Sequence, residues 1–334
     1  MKLTNRQVVL SLILSFFVVT LWHRFIALAA QQQIVLPVAE LRLPTNDLRN
    51  PHSPFWLSNE LIGFVRETDS NPPNGALYIY NVKTKEIRKI LDKPVHWPTF
   101  VPKLNRISFS AVGKDGFLIL FTISPAGADL REHDFDGAVS FSPSWSPDAR
   151  RVVFEGTSYD ADLLIADVYT GKIESPGDLG RVQDTNGTEA GDWSPNGNEI
   201  VYVGWDKTSR NKDGGYEPRI SRLYKYDLQN RIYRRLTGGE FQDRSPAHSP
   251  DGSRIVFISN RSRNRELWTM SSQGNALRRL TDMVKLGTEA TIDKPSWSPD
   301  QRRIAFAAAP NNRYRRGGYS IEGSKIWILD FRQK

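Results

Sequence analysis

The stretch "SPSWSPDARRVVF", residues 142–154, sets Trp145 against Ser146-Pro147-Asp148 and follows it with a short apolar run. Nearly the same phrase returns as "GDWSPNGNEIVYV", "PAHSPDGSRIVFI" and "PSWSPDQRRIAFA". Aligned on Trp145, these copies put Trp193, His248 and Trp297 in one column, each seven residues before an apolar pair. The same ruler places Phe55 ahead of Ile62-Gly63-Phe64 and Phe100 ahead of Ile107-Ser108-Phe109. The anchors 55, 100, 145, 193, 248 and 297 are then 45, 45, 48, 55 and 49 residues apart, the period of a propeller blade.

Each copy reads as four short strands. Ser-Pro-Asp-Gly fits a type I turn: proline presets φ at the second position, Asp or Asn takes the third and Gly the fourth. A third strand follows in runs such as "ALYIYNV", "DLLIADV" and "KIWILDF", and a fourth in runs such as "IYRRLT". Proline stands two residues before the anchor at Pro98, Pro143, Pro246 and Pro295. A residue with no N–H belongs on an edge strand, and the innermost strand of a blade is such an edge. Trp145 is therefore read as packing between blades. Six anchors give an all-β, six-bladed β-propeller over residues 31–334. The sixth blade lacks a fourth strand, and "QIVLPVAELRL", residues 33–43, is expected to supply it and close the ring.

Residues 1–30 form a separate unit. Lys2 and Arg6 precede an apolar run from Val8 to Trp22, a polar break at His23-Arg24 and a small-x-small site at Ala27-Leu28-Ala29. This is the pattern of a cleaved signal peptide. An uncleaved anchor through residues 8–22 is the other reading, although the run is shorter than the roughly 17–25 residues of a spanning helix. Both send the remainder of the chain out of the cytoplasm, to a periplasmic or extracytoplasmic site. Chromosomal nucleic acid is then a poor partner for the +8 formal charge. Cysteine is absent, which excludes disulfides, thiolate nucleophiles and cysteine zinc sites.

The repeat at residues 245–281, "SPAHSPDGSRIVFISNRSRNRELWTMSSQGNALRRLT", resembles that of the TolB-like periplasmic β-propeller family, a WD-like repeat. The likeness is specific over blades three to six and looser over the first two. It implies an exported, noncatalytic interaction propeller in the cell envelope, with a part in envelope integrity or biopolymer transport. TolB itself carries an α/β domain ahead of its propeller, and here the first blade follows the leader directly, so that domain's role does not transfer. The repeat is also similar to the propellers of prolyl-oligopeptidase-type proteases, but the chain has no G-x-S-x-G nucleophile elbow.

Charge is uneven among the loops that join second to third strands. Residues 204–223 carry five basic and three acidic residues, residues 259–267 three and one, and residues 310–325 four and one. Trp205, Arg210, Arg263, Arg265, Arg313, Tyr314, Arg315 and Arg316 are the candidate partner-binding face. Arginine with aromatics suits an interface with an envelope protein or an anionic polymer. Arg261 reads instead as a brace for its loop. The rival is a lyase or hydrolase acting on an anionic polysaccharide through channel residues: His52, His96 and His248 with Glu189, Asp243 and Asp293. Their offsets from the anchors differ between blades, and His248 occupies the tryptophan column, so neither a catalytic residue nor a metal site is assigned and no cofactor is expected.

Overall fold

A computed structural model describes residues 38–41, 50–67, 75–135, 141–156, 163–175, 185–206, 220–286, 291–292, 294–309, 314–315, 318–319 and 323–331. The expected leader, residues 1–30, lies outside them. Among the described residues, six antiparallel blade sheets follow one another along the chain, with a two-stranded pair, Tyr314–Arg315 and Gly318–Tyr319, beside the last. The first five are four-stranded and run in sequence order from the inside outward. In blade 3 these strands are Phe141–Trp145, Arg151–Glu155, Leu163–Asp167 and Ile173–Glu174.

Blade 6 closes as expected. Val38–Glu40 pairs antiparallel with Lys325–Asp330 in the register Val38↔Leu329, Ala39↔Ile328 and Glu40↔Trp327. The Leu41 N–H donates to the Ile326 carbonyl at 2.8 Å. Lys325 meets the Glu40 carboxylate at 3.0 Å. Of the stretch 33–43, the described residues thus place 38–41.

The repeated phrase folds as its residues require. Ser146 Oγ donates to Asp148 Oδ1 and accepts from the Arg151 N–H at 2.8 Å, while Asp148 Oδ1 accepts from the Arg150 N–H at 3.0 Å. The pattern recurs at Ser194, Ser249 and Ser298. The turn's fourth residue adopts a left-handed conformation. Gly197 and Gly252 take it without a Cβ penalty, whereas Ala149 and Gln301 adopt it at φ 58° and 62°.

Blade 1 corrects the alignment. Trp56, not Phe55, pairs with Ile62 as Trp145 pairs with Val152. The turn here is one residue shorter. Ser58 Oγ accepts from the Glu60 and Leu61 N–H groups, where blades 3, 5 and 6 use Pro-Asp and blade 4 Pro-Asn. Phe55 instead lies over Gly63, where any Cβ would strike its ring at 2.1 Å. With Trp56 as anchor, Pro54 falls two residues before it, like the other inner-strand prolines.

The core is a set of seams between blades rather than one centre. Trp145 joins Val101, Leu120 and Phe154 between blades 2 and 3. Trp193 joins Val153 and Tyr202 between blades 3 and 4. Trp297 joins Val256, Leu267 and Phe306 between blades 5 and 6. At closure, Trp56 packs with Ile62 and Ala305, with Leu41 and Ile328 against them. An arginine from the head of the preceding blade's second strand covers three of these rings: Arg151 over Trp193 at 4.8 Å, Arg254 over Trp297 at 4.7 Å and Arg303 over Trp56 at 4.4 Å. Each such contact adds ~0.5–2 kcal/mol to the apolar burial.

Deleting residues 38–41 removes the outer strand and the Leu41 contact together. The expected result in thermal unfolding is a Tm lower by ~5 °C or more, with faster hydrogen exchange along Lys325–Asp330. An unchanged Tm would show that the ring does not depend on this strand.

Candidate functional site

The basic face is only partly assembled among the described residues. Strand runs through residues 254–262 and 264–271, so the segment 259–267 is a tight hairpin with Arg263 at its tip, not a long loop. Arg263 is exposed there, with φ 79°. Arg265 does not belong to an open face. It is buried, and its Nη2 donates to Gln242 Oε1 at 2.9 Å, because the extended strand turns it inward. Trp205 is half-buried against the apolar seam of blades 4 and 5. Tyr314 and Arg315 form a short strand paired with Gly318–Tyr319. Arg210, Arg313 and Arg316 lie outside the described residues. Arg261 is a brace, as read. It grips both Asp243 oxygens at 2.7 and 2.6 Å and lies over Phe241, Phe257 and Trp268.

The concave feature sits on the opposite face, where the Ser-Pro-Asp turns gather. Here the central channel opens into a cavity of about 600 Å³ lined by residues from all six blades, among them Trp56, Trp97, Pro143, Asp192, His248 and Lys294. Its shape comes from the inner-strand prolines. The residue before each is left-handed in four blades: Ser53, Trp97 and Ser142 at φ 48° and Ser245 at φ 50°. That conformation is costly for a non-glycine residue before proline. The strand bulges at each of these points, as between His96 and Thr99 and between Phe141 and Ser144. The bulge re-aims the side chains beside it.

Deeper in the channel, the corrected anchor brings a set of residues into one register. His52, His96, Phe141, Glu189 and Arg244 each stand four residues before their anchor and pair equivalently, with Val65, Ser110, Glu155, Val203 and Ile258. Taking Phe55 as anchor made these offsets look unequal. The His96 ring is exposed to the channel but crowded by its walls, and that partial desolvation, with secondly the charge of His52, lowers its pKa. Asp243 is one residue out of this register and is spent on Arg261. Asp293 lies outside the described residues. Among the described residues, no group of three or more His, Asp and Glu is placed to hold a metal ion.

The seam between blades 4 and 5 departs from the three that carry an arginine over a tryptophan. Where Arg151, Arg254 and Arg303 cover a tryptophan, this seam has Glu199 and His248, both read from the same columns. Where Ser144 and Ser296 accept the N–H of the next blade's anchor at 3.2 Å, this seam has Asp192. Asp192 Oδ2 accepts from the His248 backbone N–H at 2.8 Å and lies 3.1 Å from His248 Nδ1. Ser144 Oγ donates to Oδ1 at 3.3 Å, and the Lys294 ammonium stands 3.7 Å from it. Glu199 pairs with the buried Lys225 at 2.7 Å. The His248 side chain is 2% exposed, and its Nε2 has no hydrogen-bond partner among the described residues. Burial alone would raise the Asp192 carboxyl, but Lys294 and His248 outweigh it and hold the pKa below the ordinary 3.8. Sequence reading took His248 as a packed variant, as the structure has it, and missed Asp192 and Lys294. The signal was present as departures within each repeat column.

Because the folded pKa is lowered, the stability Asp192 contributes is full above pH 3.8 and is lost as pH falls through the folded value. Asp192→Asn should cost ~2 kcal/mol at pH 7, the scale of a hydrogen bond to a charged group. The gap in Tm between wild type and variant should close as the pH is taken toward 2. A gap of the same size at every pH would mean that the carboxylate charge contributes nothing.

Comparison with known proteins gives the following. The profile of the TolB beta propeller domain family matches residues 159–330, just over half of the chain. An uncharacterized protein of Agrobacterium fabrum, Atu1656, is 30% identical over 90 residues, which span 27% of this chain and 27% of that protein. The chain therefore matches only about a quarter of that relative's length. The crystal structure of TolB from Acinetobacter baumannii superposes with a TM-score of 0.61 at 19% identity, over 82% of this chain and 64% of that one. An oligogalacturonate lyase from Vibrio parahaemolyticus superposes with a TM-score of 0.50 at 11% identity, over 90% and 98% of the two chains. At such identities the two structures share the fold and nothing finer.

Proposed function

We propose a function from one premise: the chain belongs to the TolB beta propeller domain family. It acts as a noncatalytic interaction propeller of the cell envelope that docks an extended segment of a partner protein in the mouth of its channel. The observation that carries this reading is the 600 Å³ mouth itself, concave, rigid with proline and lined by aromatics from several blades. Among the described residues that line it, the one carboxylate and the one ammonium, Asp192 and Lys294, cancel, which favours a peptide over an anionic polymer there. An anionic polymer would find countercharge on the opposite face, at Arg263. The leader pattern in residues 1–30 supports a periplasmic or extracytoplasmic site, with residues 8–22 as a tether if they are retained.

The second reading, a lyase or hydrolase on an anionic polysaccharide, draws on the shared register of His52 and His96. On the docking reading these two residues are dispensable for capture.

The chain has no cysteine, so one introduced cysteine is a unique attachment point. Benzophenone maleimide is placed on Asn59→Cys at the mouth or on Arg263→Cys at the opposite face, and the protein is irradiated with native envelopes. A discrete cross-linked protein from Asn59→Cys, retained when His52 and His96 are both alanine, is the expected result. Cross-linking from Arg263→Cys alone would move the docking surface to the other face.

A further inference from the structure

We infer that Asp192 and Lys294 form a clamp that reads the main chain of the docked segment, with His248 and Ser144 as positioning residues. The clamp rests on the docking reading above and adds the chemistry by which the segment is held.

The six repeats serve as an internal comparison. Three residues before the anchor, Ser53 and Ser142 give the mouth a small hydroxyl and Trp97 an indole, whereas blade 6 has Lys294. One residue before the anchor, Ser144 and Ser296 hold the next blade, whereas blade 4 has Asp192. Asp192 still does that work through Oδ2, so its second oxygen is what the substitution adds. Both departures line the mouth, and they lie 3.7 Å apart, beyond hydrogen-bond length. Their side chains are 18% and 31% exposed.

A fixed carboxylate beside a fixed ammonium does not select a net charge, since what one gains the other loses. It does suit a group that offers a donor and an acceptor on one side. In an extended chain the N–H and C=O of a single residue point the same way and are shared as a pair in antiparallel ladders. Asp192 accepts the N–H and Lys294 donates to the C=O. Trp97 and the prolines across the mouth meet the alternating side chains. His248 and Ser144 fix the carboxylate from behind, so it is ordered before the segment arrives. The polar seam is in this view retained for recognition, at the expense of the Arg–Trp stack that three other seams carry.

The test uses a phage-displayed library of random dodecapeptides. It is panned on the full chain and counter-selected on Asn59→Cys protein whose mouth is blocked by a bulky maleimide. The best enriched peptide is synthesised with each backbone N–H methylated in turn, and binding is read by fluorescence anisotropy. Asp192→Ser restores the residue of blades 3 and 6 and so keeps the anchor bond; Lys294→Met alters a partly exposed side chain. One N-methyl position should weaken wild-type binding about tenfold, on the scale of one charged hydrogen bond. Asp192→Ser should weaken the parent peptide by a similar factor, and the two changes together should cost little more than either. Lys294→Met should also lose about tenfold. An enriched peptide bound equally well by wild type, Asp192→Ser and Lys294→Met would overturn the clamp and leave the docking reading standing. If no peptide survives counter-selection, the docking reading fails and the clamp fails with it.

Discussion

Between neighbouring blades, an aromatic side chain from one inner strand lies against the second strand of the blade before it, and the rest of the molecule depends on that contact. No single blade can cover both of its own faces, so burial is achieved only pairwise around the ring. Trp193, Trp297 and Trp56 each carry an arginine on the outer side of the ring, and Trp145 is held by its Nε1 donating to Ser108 Oγ at 2.7 Å. The seam between blades 6 and 1 uses the same parts although its partners are at least 240 residues apart in the chain. Arg303 covers Trp56, and the Trp56 N–H donates to Ser296. Closure by residues 38–41 is therefore one more instance of the repeat, completed by a strand taken from the opposite end.

Most of this was legible because the contact leaves a periodic trace. A tryptophan, a Ser-Pro-Asp turn and a β-branched run recur together because each satisfies one local need. The anchor fills a seam, the turn reverses the strand, and the run crosses two seams at once. The trace failed where one need was met by other residues. In blade 1, Ser58 and Asn59 replace Pro-Asp, the turn shortens by one residue and the ruler slips from Trp56 to Phe55. A one-residue slip reverses which seam a side chain faces. It also set His52 out of step with His96, which the corrected register puts in line.

The site was less legible, for a related reason. Charge counting along a loop assumes that the loop is a loop. In residues 259–267 the strands persist to the hairpin tip, because Arg261 finds Asp243 and three aromatic faces and Arg265 finds Gln242. Two of the three arginines counted there as surface charge are thus consumed by the fold. The mouth, by contrast, bears almost no net charge among its described residues and raises no signal in composition. It shows only when each repeat column is read for the member that breaks it.

Such breaks carry information because repetition makes the packing solution available everywhere. The chain builds an Arg–Trp–Ser seam where blades 3 and 4 meet, and the same stack recurs where blade 6 meets blade 1. Where blades 4 and 5 meet, the same columns hold Glu199, His248 and Asp192. Burying that set requires a lysine for the glutamate and several donors for the aspartate. A buried polar set of this kind is at best neutral to stability beside an apolar one of similar volume. Three coordinated departures in one seam, all paired or hydrogen-bonded with buried neighbours and two of them lining the cavity, are not the trace of random drift on a surface. Sequence that violates its own repeat at a cost to packing marks the place where the propeller meets something other than itself.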